Sequence, residues 1–388
     1  MLFAPQANDA ITIGQTLYRF AEHPALPPGM GFPYGQEGRA ATVYQLRDDA
    51  GNHQALKVFK FQYRKPALFS QAESLAPFVA LPGLLVCRRT VLTADHHTEL
   101  VETFPALEYG ALMPWIEGRT WLEIVQSRVP FTEEQSRKMA KAFLFLMAGL
   151  EERQVAHGDI SGANLILCGG GNALDTLQLV DVEQLYAPSL SRPAELLGGS
   201  PGYAHHRSDA GLWQADMDRF AGAIILAEML SWCDPRVCKL AVGETYFAEN
   251  ELQQESERRT LLHQVLVEHW GNRVGDLFTR AWESDELAHC PTFSEWRGAL
   301  QPDVDSAVLP RSPVVEWEPI IPPFDVATLD SVELSTETEA QPAEAPLQQP
   351  DQHSRTGLTL VIVILIVIVI LAVVLASYYG LLPIRFQP

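Results

Sequence analysis

The chain has 388 residues, of which 47% are apolar and 20% charged, so it can bury a large core and is not collagen-like, coiled-coil or wholly disordered. Its 48 acidic and 28 basic residues give a net charge of −20, which argues against nucleic-acid binding because such a chain repels phosphate backbones. Five cysteines, an odd number spread along the chain, favour a reducing compartment over a disulfide framework.

A β-hairpin is the first element that the sequence predicts clearly. Within residues 41–60, two runs with strand character flank the turn-forming sequence DDAGN. Side chains alternate along a strand, so Ala55, Lys57 and Phe59 share one face of the second run. A lysine on an apolar strand is costly to bury unless it meets an anion. An edge-strand lysine exposed to water would give the same pattern, and this stretch taken alone favours that alternative.

A long helix is predicted to begin after Thr132, because Thr132 followed by Gln135 matches a capping box. Its apolar stripe recurs at helical spacing, at Met139, Phe143, Met147 and Leu150. Two short apolar runs further along, at residues 165–168 and 177–180, are separated by a glycine-rich turn. We predict them to be partner strands.

Three polar side chains of the kinds that bind metals or transfer protons lie around these two strands. Asp159 and Asn164 are in the loop HGDISGAN just before the first strand, and Asp181 follows the second. Carboxylate and amide oxygens, together with phosphate oxygens, are the ligands that Mg²⁺ prefers. A separate carboxylate can deprotonate an attacking hydroxyl group. The pattern therefore indicates phosphoryl transfer.

The composition changes after residue 300. Residues 301–355 contain nine prolines, eleven acidic residues and no lysine, which is typical of an extended, self-repelling and disordered linker.

A membrane-spanning helix is the strongest physical signal in the sequence. Residues 358–376 are an almost purely hydrocarbon run of 19 residues, about 29 Å long as a helix, which matches a bilayer core. We predict a transmembrane helix at 357–379 and a short exoplasmic tail at 380–388; a buried core helix or a very hydrophobic strand is the alternative. Arg355 and Arg385 flank the run on opposite sides, so charge alone does not set its orientation.

In their order and spacing, these motifs resemble the eukaryotic-type (Hanks-type) serine/threonine protein kinase superfamily, in a divergent bacterial form, over about residues 30–300. Lys57 in ALKVF is similar to the lysine that holds the α- and β-phosphates of ATP. HGDISGAN resembles the catalytic loop, which implies Asp159 as the base and Asn164 as a metal ligand. The sequence DVE takes the place of DFG, which implies that its Asp181 holds Mg²⁺.

The resemblance also implies an ATP-binding cleft and the segments that support it. GSPGY at 199–203 resembles the end of an activation segment, and DRFAGAIILAEML, from Asp218, resembles the buried helix that anchors the catalytic loop. Glu73, in a predicted helix FSQAESLA, is the implied ion-pair partner of Lys57. The other implied ATP-binding residues are Gly38 and Val43 in the glycine-rich loop, Ala55, Met113 near the gatekeeper and Trp115 along the hinge.

Several residues depart from the family pattern. The glycine-rich loop retains only Gly38, so fewer backbone amides can approach the phosphates. Gly158 stands where many kinases carry arginine, and Ser161 where a lysine commonly neutralises the transferred phosphoryl group. Glu183 replaces the DFG glycine and adds an acidic group near the metal site.

The resemblance implies an α+β, bilobal protein-kinase-like fold for residues 1–300, with a small β-rich lobe and a larger helical lobe. It implies ATP and Mg²⁺ as cofactors and protein substrates, which the predicted anchor would restrict to membrane-associated ones. Because ATP is a cytoplasmic resource, we expect a single-pass protein of the bacterial inner membrane with its kinase domain in the cytoplasm. The sequence leaves a homodimer open.

Two other functions remain open from the sequence. If the loss of glycines from the glycine-rich loop and the serine at position 161 have abolished phosphoryl transfer, the chain would be a pseudokinase. It would then be a nucleotide- or partner-binding scaffold at the membrane. It would be a small-molecule phosphotransferase of the aminoglycoside or choline kinase kind if its H-G-D sequence, frequent in those enzymes, reflects its substrate. GSPGY and the helix from Asp218 favour the protein-kinase branch.

Overall fold

The structure of the chain, a computed structural model, describes residues 3–168, 176–196, 198–207 and 211–300. The predicted linker, membrane helix and tail at 301–355, 357–379 and 380–388 lie outside these residues. Within the described part of the chain, no helix has the length and apolar character needed to cross a membrane.

A curled antiparallel sheet forms the N-terminal part. Its strands lie in the order β1-β2-β4-β5-β7-β6, and β3 pairs with the first half of β4. The strands are β1 (Ala10–Ile13), β2 (Thr16–Phe20), β3 (Gly35–Glu37), β4 (Ala41–Asp48), β5 (His53–Phe59), β6 (Thr90–Val91) and β7 (Ala111–Pro114). The predicted hairpin is confirmed as β4 and β5, with Val43 opposite Lys57. This sheet positions Lys57 against β7 on one side and β4 on the other.

The two faces of β5 have different roles. Leu56 and Val58 pack with residues such as Phe20 and Leu46 in an apolar core on one side of the sheet. Lys57 lies on the opposite face and is only 3% exposed, with its ammonium group 5.3 Å from the centre of the Phe59 ring. Lys57 is therefore buried, and the alternative of an edge-strand lysine in water is wrong.

Helices follow the sheet and build most of the remaining structure. Two short helices, α1 (Ala67–Leu75) and α2 (Thr98–Thr103), are inserted between strands of the sheet. The later helices are α3 (Trp121–Ser127), α4 (Glu133–Glu151), α5 (Arg219–Ser231), α6 (Pro235–Leu240), α7 (Glu257–Trp270), α8 (Asn272–Trp282) and α9 (Phe293–Ala299). The described residues thus form a mixed α+β fold, with the antiparallel sheet first and the helices after it.

Helix α4 begins as the sequence predicts. The Thr132 hydroxyl accepts a bond from the backbone N–H of Gln135, and the Gln135 side chain accepts one from the backbone of Thr132. This reciprocal cap satisfies two donors that would otherwise lack partners at the helix start. The predicted apolar stripe of α4 is buried, and it packs against α5 and α9. Helix α5 is apolar on all sides and almost wholly buried, as such helices must be.

A second, three-stranded sheet carries the polar loop. Its order is β10-β9-β8, formed by β8 (Arg119–Thr120), β9 (Leu165–Cys168) and β10 (Thr176–Leu179). The prediction of β9 is confirmed, whereas β10 begins and ends one residue earlier than predicted. Leu165 pairs with Leu179, and the N–H of Val180 donates to the carbonyl of Asn164 at 3.0 Å. This pairing brings the end of β10 beside the start of β9.

Glu228 of α5 is an acidic residue at the centre of the helical core. It is fully buried, and its carboxylate accepts bonds from Trp121 Nε1 at 2.6 Å, from the Tyr203 hydroxyl at 3.2 Å and from the backbone of Tyr246 at 3.4 Å. Burial raises the pKa of Glu228 to about 7, and these three donors oppose the shift. One side chain thus joins α5 to three other segments.

The raised pKa of Glu228 predicts that stability falls as the pH rises. The folded pKa lies above the ordinary value of 4.5, so its contribution is complete below pH 4.5 and is lost as the pH rises through about 7. We expect this group alone to lower the free energy of unfolding by about 3 kcal/mol between pH 4.5 and pH 8. Urea unfolding of wild type and Glu228→Gln at several pH values measures this. Identical pH slopes for the two proteins would contradict the prediction.

Candidate active site

A cleft of about 370 Å³ lies between the N-terminal sheet and the loops around β9 and β10. This volume is within the range of small-molecule sites. Nine of the ten predicted site residues line it: Gly38, Val43, Ala55, Lys57, Met113, Trp115, Asp159, Asn164 and Asp181. The tenth, Glu73, does not line the cleft.

The sheet supplies an apolar half of this cleft. Ala55 of β5 and Met113 of β7 are directly opposite in register, and Val43 lies on the neighbouring strand. Trp115 follows β7 and contacts the ring of Tyr34, with ring centres 5.3 Å apart. Such a slot between apolar side chains suits a flat ring such as a nucleobase.

A short hairpin turn closes one side of the cleft. It joins β3 to β4, and the N–H of Gly38 donates to the carbonyl of Ala41 at 2.8 Å. Gly38 and Arg39 both line the cleft from this turn. The turn that the resemblance matches to a glycine-rich loop thus lines the cleft, with one glycine in place of three.

Lys57 is the centre of a group of four charges, in which Asp181 is the exposed member. Its ammonium lies 2.9 Å from Asp181 Oδ1 and 2.9 Å from Glu183 Oε2. The other carboxylate oxygen of Glu183 accepts a bond from Arg89 at 2.8 Å. Burial by itself lowers the pKa of Lys57, but Asp181 and Glu183 outweigh it and raise the pKa above its usual value. Lys57 is therefore a firmly charged cation.

The predicted ion pair between Lys57 and Glu73 is wrong. Glu73 is on the exposed side of α1, whereas Ala72 and Leu75 are its buried residues. The neighbouring Gln71 faces inward, and its side-chain amide donates to the backbone carbonyl of Glu183 at 2.7 Å. A helix turns about 100° per residue, so Glu73 is about 200° around the axis from Gln71. The rotation of α1 is the physical reason for the error.

Asp159 and Asn164 are brought together in the 157–164 loop. The Asn164 amide nitrogen donates to the backbone carbonyl of Asp159 at 2.8 Å and to its Oδ2 at 3.1 Å. The Ser200 hydroxyl donates to the other oxygen, Oδ1, at 2.7 Å. The carboxylate of Asp159 thus already accepts a hydrogen bond from a hydroxyl group, the kind of donor that a general base requires.

Asp218, the residue before α5, holds the 157–164 loop in place. Its two carboxylate oxygens accept bonds from the backbone N–H groups of His157 and Gly158, at 2.5 and 2.8 Å. The His157 ring donates from Nε2 to the carbonyl of Val180 at 2.7 Å. Two side chains therefore fix the loop to α5 and to the end of β10.

Backbone geometry explains Gly158. Its φ is +84°, and a Cβ atom there would lie 2.6 Å from Met217 Cε and 2.7 Å from the carbonyl oxygen of Gln184. Any larger residue, including the arginine that many kinases carry, would be strained in this backbone conformation and would clash. Asp181 also has a left-handed backbone, with φ of 62°, which aspartate tolerates better than most residues.

Ser161 leaves the cleft short of positive charge. It is 3% exposed, and its hydroxyl oxygen has no hydrogen-bond partner within the part of the chain that the structure describes. The cations among the described residues that line the cleft are Lys57 and, at the hairpin turn, Arg39. Among the described residues that line the cleft, no other lysine thus replaces the one that is absent at position 161.

The oxygen atoms of Asp181 and Asn164 fit a magnesium ion. The Asn164 amide nitrogen is occupied by Asp159, which leaves its amide oxygen as the free ligand atom. Asp181 lines the cleft, and its side chain is 44% exposed. One carboxylate and one amide oxygen, completed by phosphate oxygens and water, form a typical Mg²⁺ ligand set. Among the described residues no group of three His, Cys, Asp or Glu side chains forms a metal site.

Sequence reasoning missed the roles of Arg89, Glu183 and Ser200. Glu183 was noted only as an acid near the metal site, and Ser200 only as part of GSPGY. Arg89, in the apolar stretch LLVCRRTV, was not singled out. The charge of Arg89 within an apolar stretch is the sequence feature that indicates a buried ion pair, since a buried arginine requires an acidic partner.

No family model matches the sequence, and no curated protein matches it.

Proposed function

We propose that the chain is an ATP-dependent serine/threonine protein kinase of the Hanks type, with a bilobal fold and a C-terminal membrane anchor. One observation carries the proposal. Lys57, Asp159, Asn164 and Asp181 come from three separate segments, up to 124 residues apart, and they line the same cleft. These are the residues that the family pattern places against phosphate and metal.

Each of these residues has a role in the proposed reaction. Lys57, a buried cation facing the cleft, orients the phosphates of ATP. Mg²⁺ held by Asp181 and Asn164 would neutralise the charge on those phosphates. Asp159, oriented by Asn164, accepts the proton of the substrate hydroxyl while the oxygen of that hydroxyl forms a bond to the γ-phosphorus of ATP. The oxygen–phosphorus bond to ADP breaks, and ADP leaves.

Protein substrates are supported over small alcohols by the segment beside the base. Ser200 and Pro201 line the cleft, and Ser200 contacts Asp159 directly. Tyr203 of the same segment is tied to the core through Glu228. A fixed segment next to the base provides a surface on which an extended peptide can lie, which an open site for a small alcohol does not need.

The membrane part of the proposal rests on the apolar run at 358–376. An anchored kinase searches a layer near the membrane, which raises its effective concentration toward membrane-associated protein substrates. Because ATP is cytoplasmic, the proposal places the kinase domain on the cytoplasmic side of the bacterial inner membrane.

Phosphate transfer by the full chain in detergent tests the proposal. We expect wild type to transfer label from γ-labelled ATP to protein hydroxyls only with Mg²⁺ present. Asp181→Ala should lower this rate about a thousandfold, because a metal ligand contributes several kcal/mol to stabilising the transferred group. Asp276→Ala, a change at an exposed residue of α8, is the matched control.

Three outcomes decide between the functions. Transfer that survives in Asp181→Ala at the wild-type rate would refute the assigned site. Mg²⁺-dependent nucleotide binding without any transfer would favour the pseudokinase. Labelling of choline or aminoglycosides in preference to peptides would favour the small-molecule phosphotransferase.

A further inference from the structure

Lys57 contacts two carboxylates at the same distance, but their surroundings differ. Asp181 lines the cleft, and its side chain is 44% exposed. The Glu183 side chain is 19% exposed, and this residue is not among those that line the cleft. Asp181 is therefore on the cleft side of Lys57, and Glu183 is on the side away from the cleft.

Glu183 is fixed by three different segments. One carboxylate oxygen binds Lys57 of β5, and the other binds Arg89, whose side chain is only 4% exposed. Arg89 in turn donates to the carbonyl of Val86 at 3.0 Å. The backbone carbonyl of Glu183 accepts a bond from Gln71 of α1. No comparable set of contacts restrains Asp181 in the described part of the chain, where Lys57 is its ion-pair partner.

We propose that Glu183, held by Arg89, is the positioning residue for Lys57 in the nucleotide-bound protein, which frees Asp181 to bind the metal. This inference rests on the proposed function. It assigns to the third residue of DVE the part that the resemblance gave to Glu73 on α1.

The charges of the group support this division. Lys57 and Arg89 balance Asp181 and Glu183, so the four charges sum to zero. When Asp181 turns to a metal ion, Lys57, Arg89 and Glu183 retain one net positive charge beside the cleft. That charge faces the phosphates, and Glu183 still keeps Lys57 paired, so no buried ammonium is left without a partner.

The pairing of Lys57 with Glu183 does not depend on a charged residue of α1. In this chain its contact with the group is a neutral bond from Gln71 to the Glu183 backbone, and Glu73 points to solvent. Lys57 lies within β5, and Glu183 lies in the short turn that follows β10. A displacement of α1 therefore does not remove the carboxylate that holds Lys57.

Two measurements on the full chain in detergent test the inference, with Glu183→Gln compared with Glu73→Gln. The first is the affinity for a non-hydrolysable ATP analogue at limiting and saturating Mg²⁺. The second is the rate at which an amine-reactive reagent acylates Lys57 in the nucleotide-free protein, followed by mass spectrometry. We expect Glu183→Gln to weaken nucleotide binding by about tenfold or more, to require more Mg²⁺, and to raise Lys57 acylation several-fold. Glu73→Gln should change neither by more than about twofold.

The outcomes separate this inference from the proposed function. Equal effects of the two variants, or none from Glu183→Gln, would overturn the inference. If Glu183→Gln does not fold, the double variant Glu183→Gln, Arg89→Gln removes one charge of each sign, and increased acylation of Lys57 is again expected. If wild type binds no nucleotide, the proposed function fails, and the acylation rates still decide whether Glu183 or Glu73 holds Lys57.

Discussion

Replacing Asp159 by asparagine is expected to lower phosphoryl transfer about a thousandfold while the affinity for Mg²⁺–ATP stays within about twofold. Asparagine has the same shape, but it cannot take the proton of a substrate hydroxyl. A positioned general base contributes typically 10²- to 10⁴-fold. The bonds from Ser200 and Asn164 converge on Asp159, and asparagine retains one acceptor for them, so the 157–164 loop should keep its conformation.

Single-turnover transfer and calorimetric nucleotide binding measure the two effects of Asp159→Asn separately. Asp276→Asn makes the same chemical change at an exposed position of α8 and serves as the control. A variant that transfers phosphate as fast as wild type would remove Asp159 from the mechanism. A variant that loses nucleotide binding as well would indicate a structural role instead.

Replacing Asp218 by alanine is expected to lower the free energy of unfolding by about 3 kcal/mol and the rate of transfer by about a hundredfold. The substitution removes the acceptors of two buried backbone N–H groups, at His157 and Gly158. Each unsatisfied buried donor costs about 1–3 kcal/mol. Transfer should fall because the 157–164 loop, which carries Asp159, loses its attachment to α5, and small misplacement of a catalytic group is costly.

Urea unfolding and transfer rates of Asp218→Ala test this prediction, with Asp276→Ala as the exposed control. Asp218→Asn keeps one acceptor oxygen but directs an amide group at the second N–H, so its stability should lie between wild type and Asp218→Ala. Unchanged stability in Asp218→Ala would show that the loop is held by other contacts. A loss of stability without a loss of transfer would separate the loop's anchoring from catalysis.

Ser161 is expected to limit the rate of the proposed phosphoryl transfer. Its buried hydroxyl stands where the family pattern has a lysine, and among the described residues that line the cleft Lys57 is the one lysine. Each ~1.4 kcal/mol of lost charge stabilisation slows transfer about tenfold. We therefore expect a slow kinase, in which the retained Lys57, Asp159, Asn164 and Asp181 provide the chemistry.

Local sequence by itself determined the elements that carry the site. The capping residues Thr132 and Gln135 specify the start of α4, because they satisfy backbone donors only a few bonds away. The alternation along β5 placed Lys57 on the face with Ala55, and the spacing of HGDISGAN placed Asp159 beside Asn164. These features follow from bonds and side-chain directions within one element, so no knowledge of distant segments was needed.

Only the tertiary structure decided which carboxylate holds Lys57. The choice between Glu73 and Glu183 depends on the rotation of α1 about its axis and on where the chain after β10 meets β5, 126 residues away along the sequence. It also required Arg89, whose partner no local pattern identifies. Likewise, the need for glycine at 158 arises from a left-handed backbone against Met217 and Gln184, a contact between segments that exists only once the chain has folded.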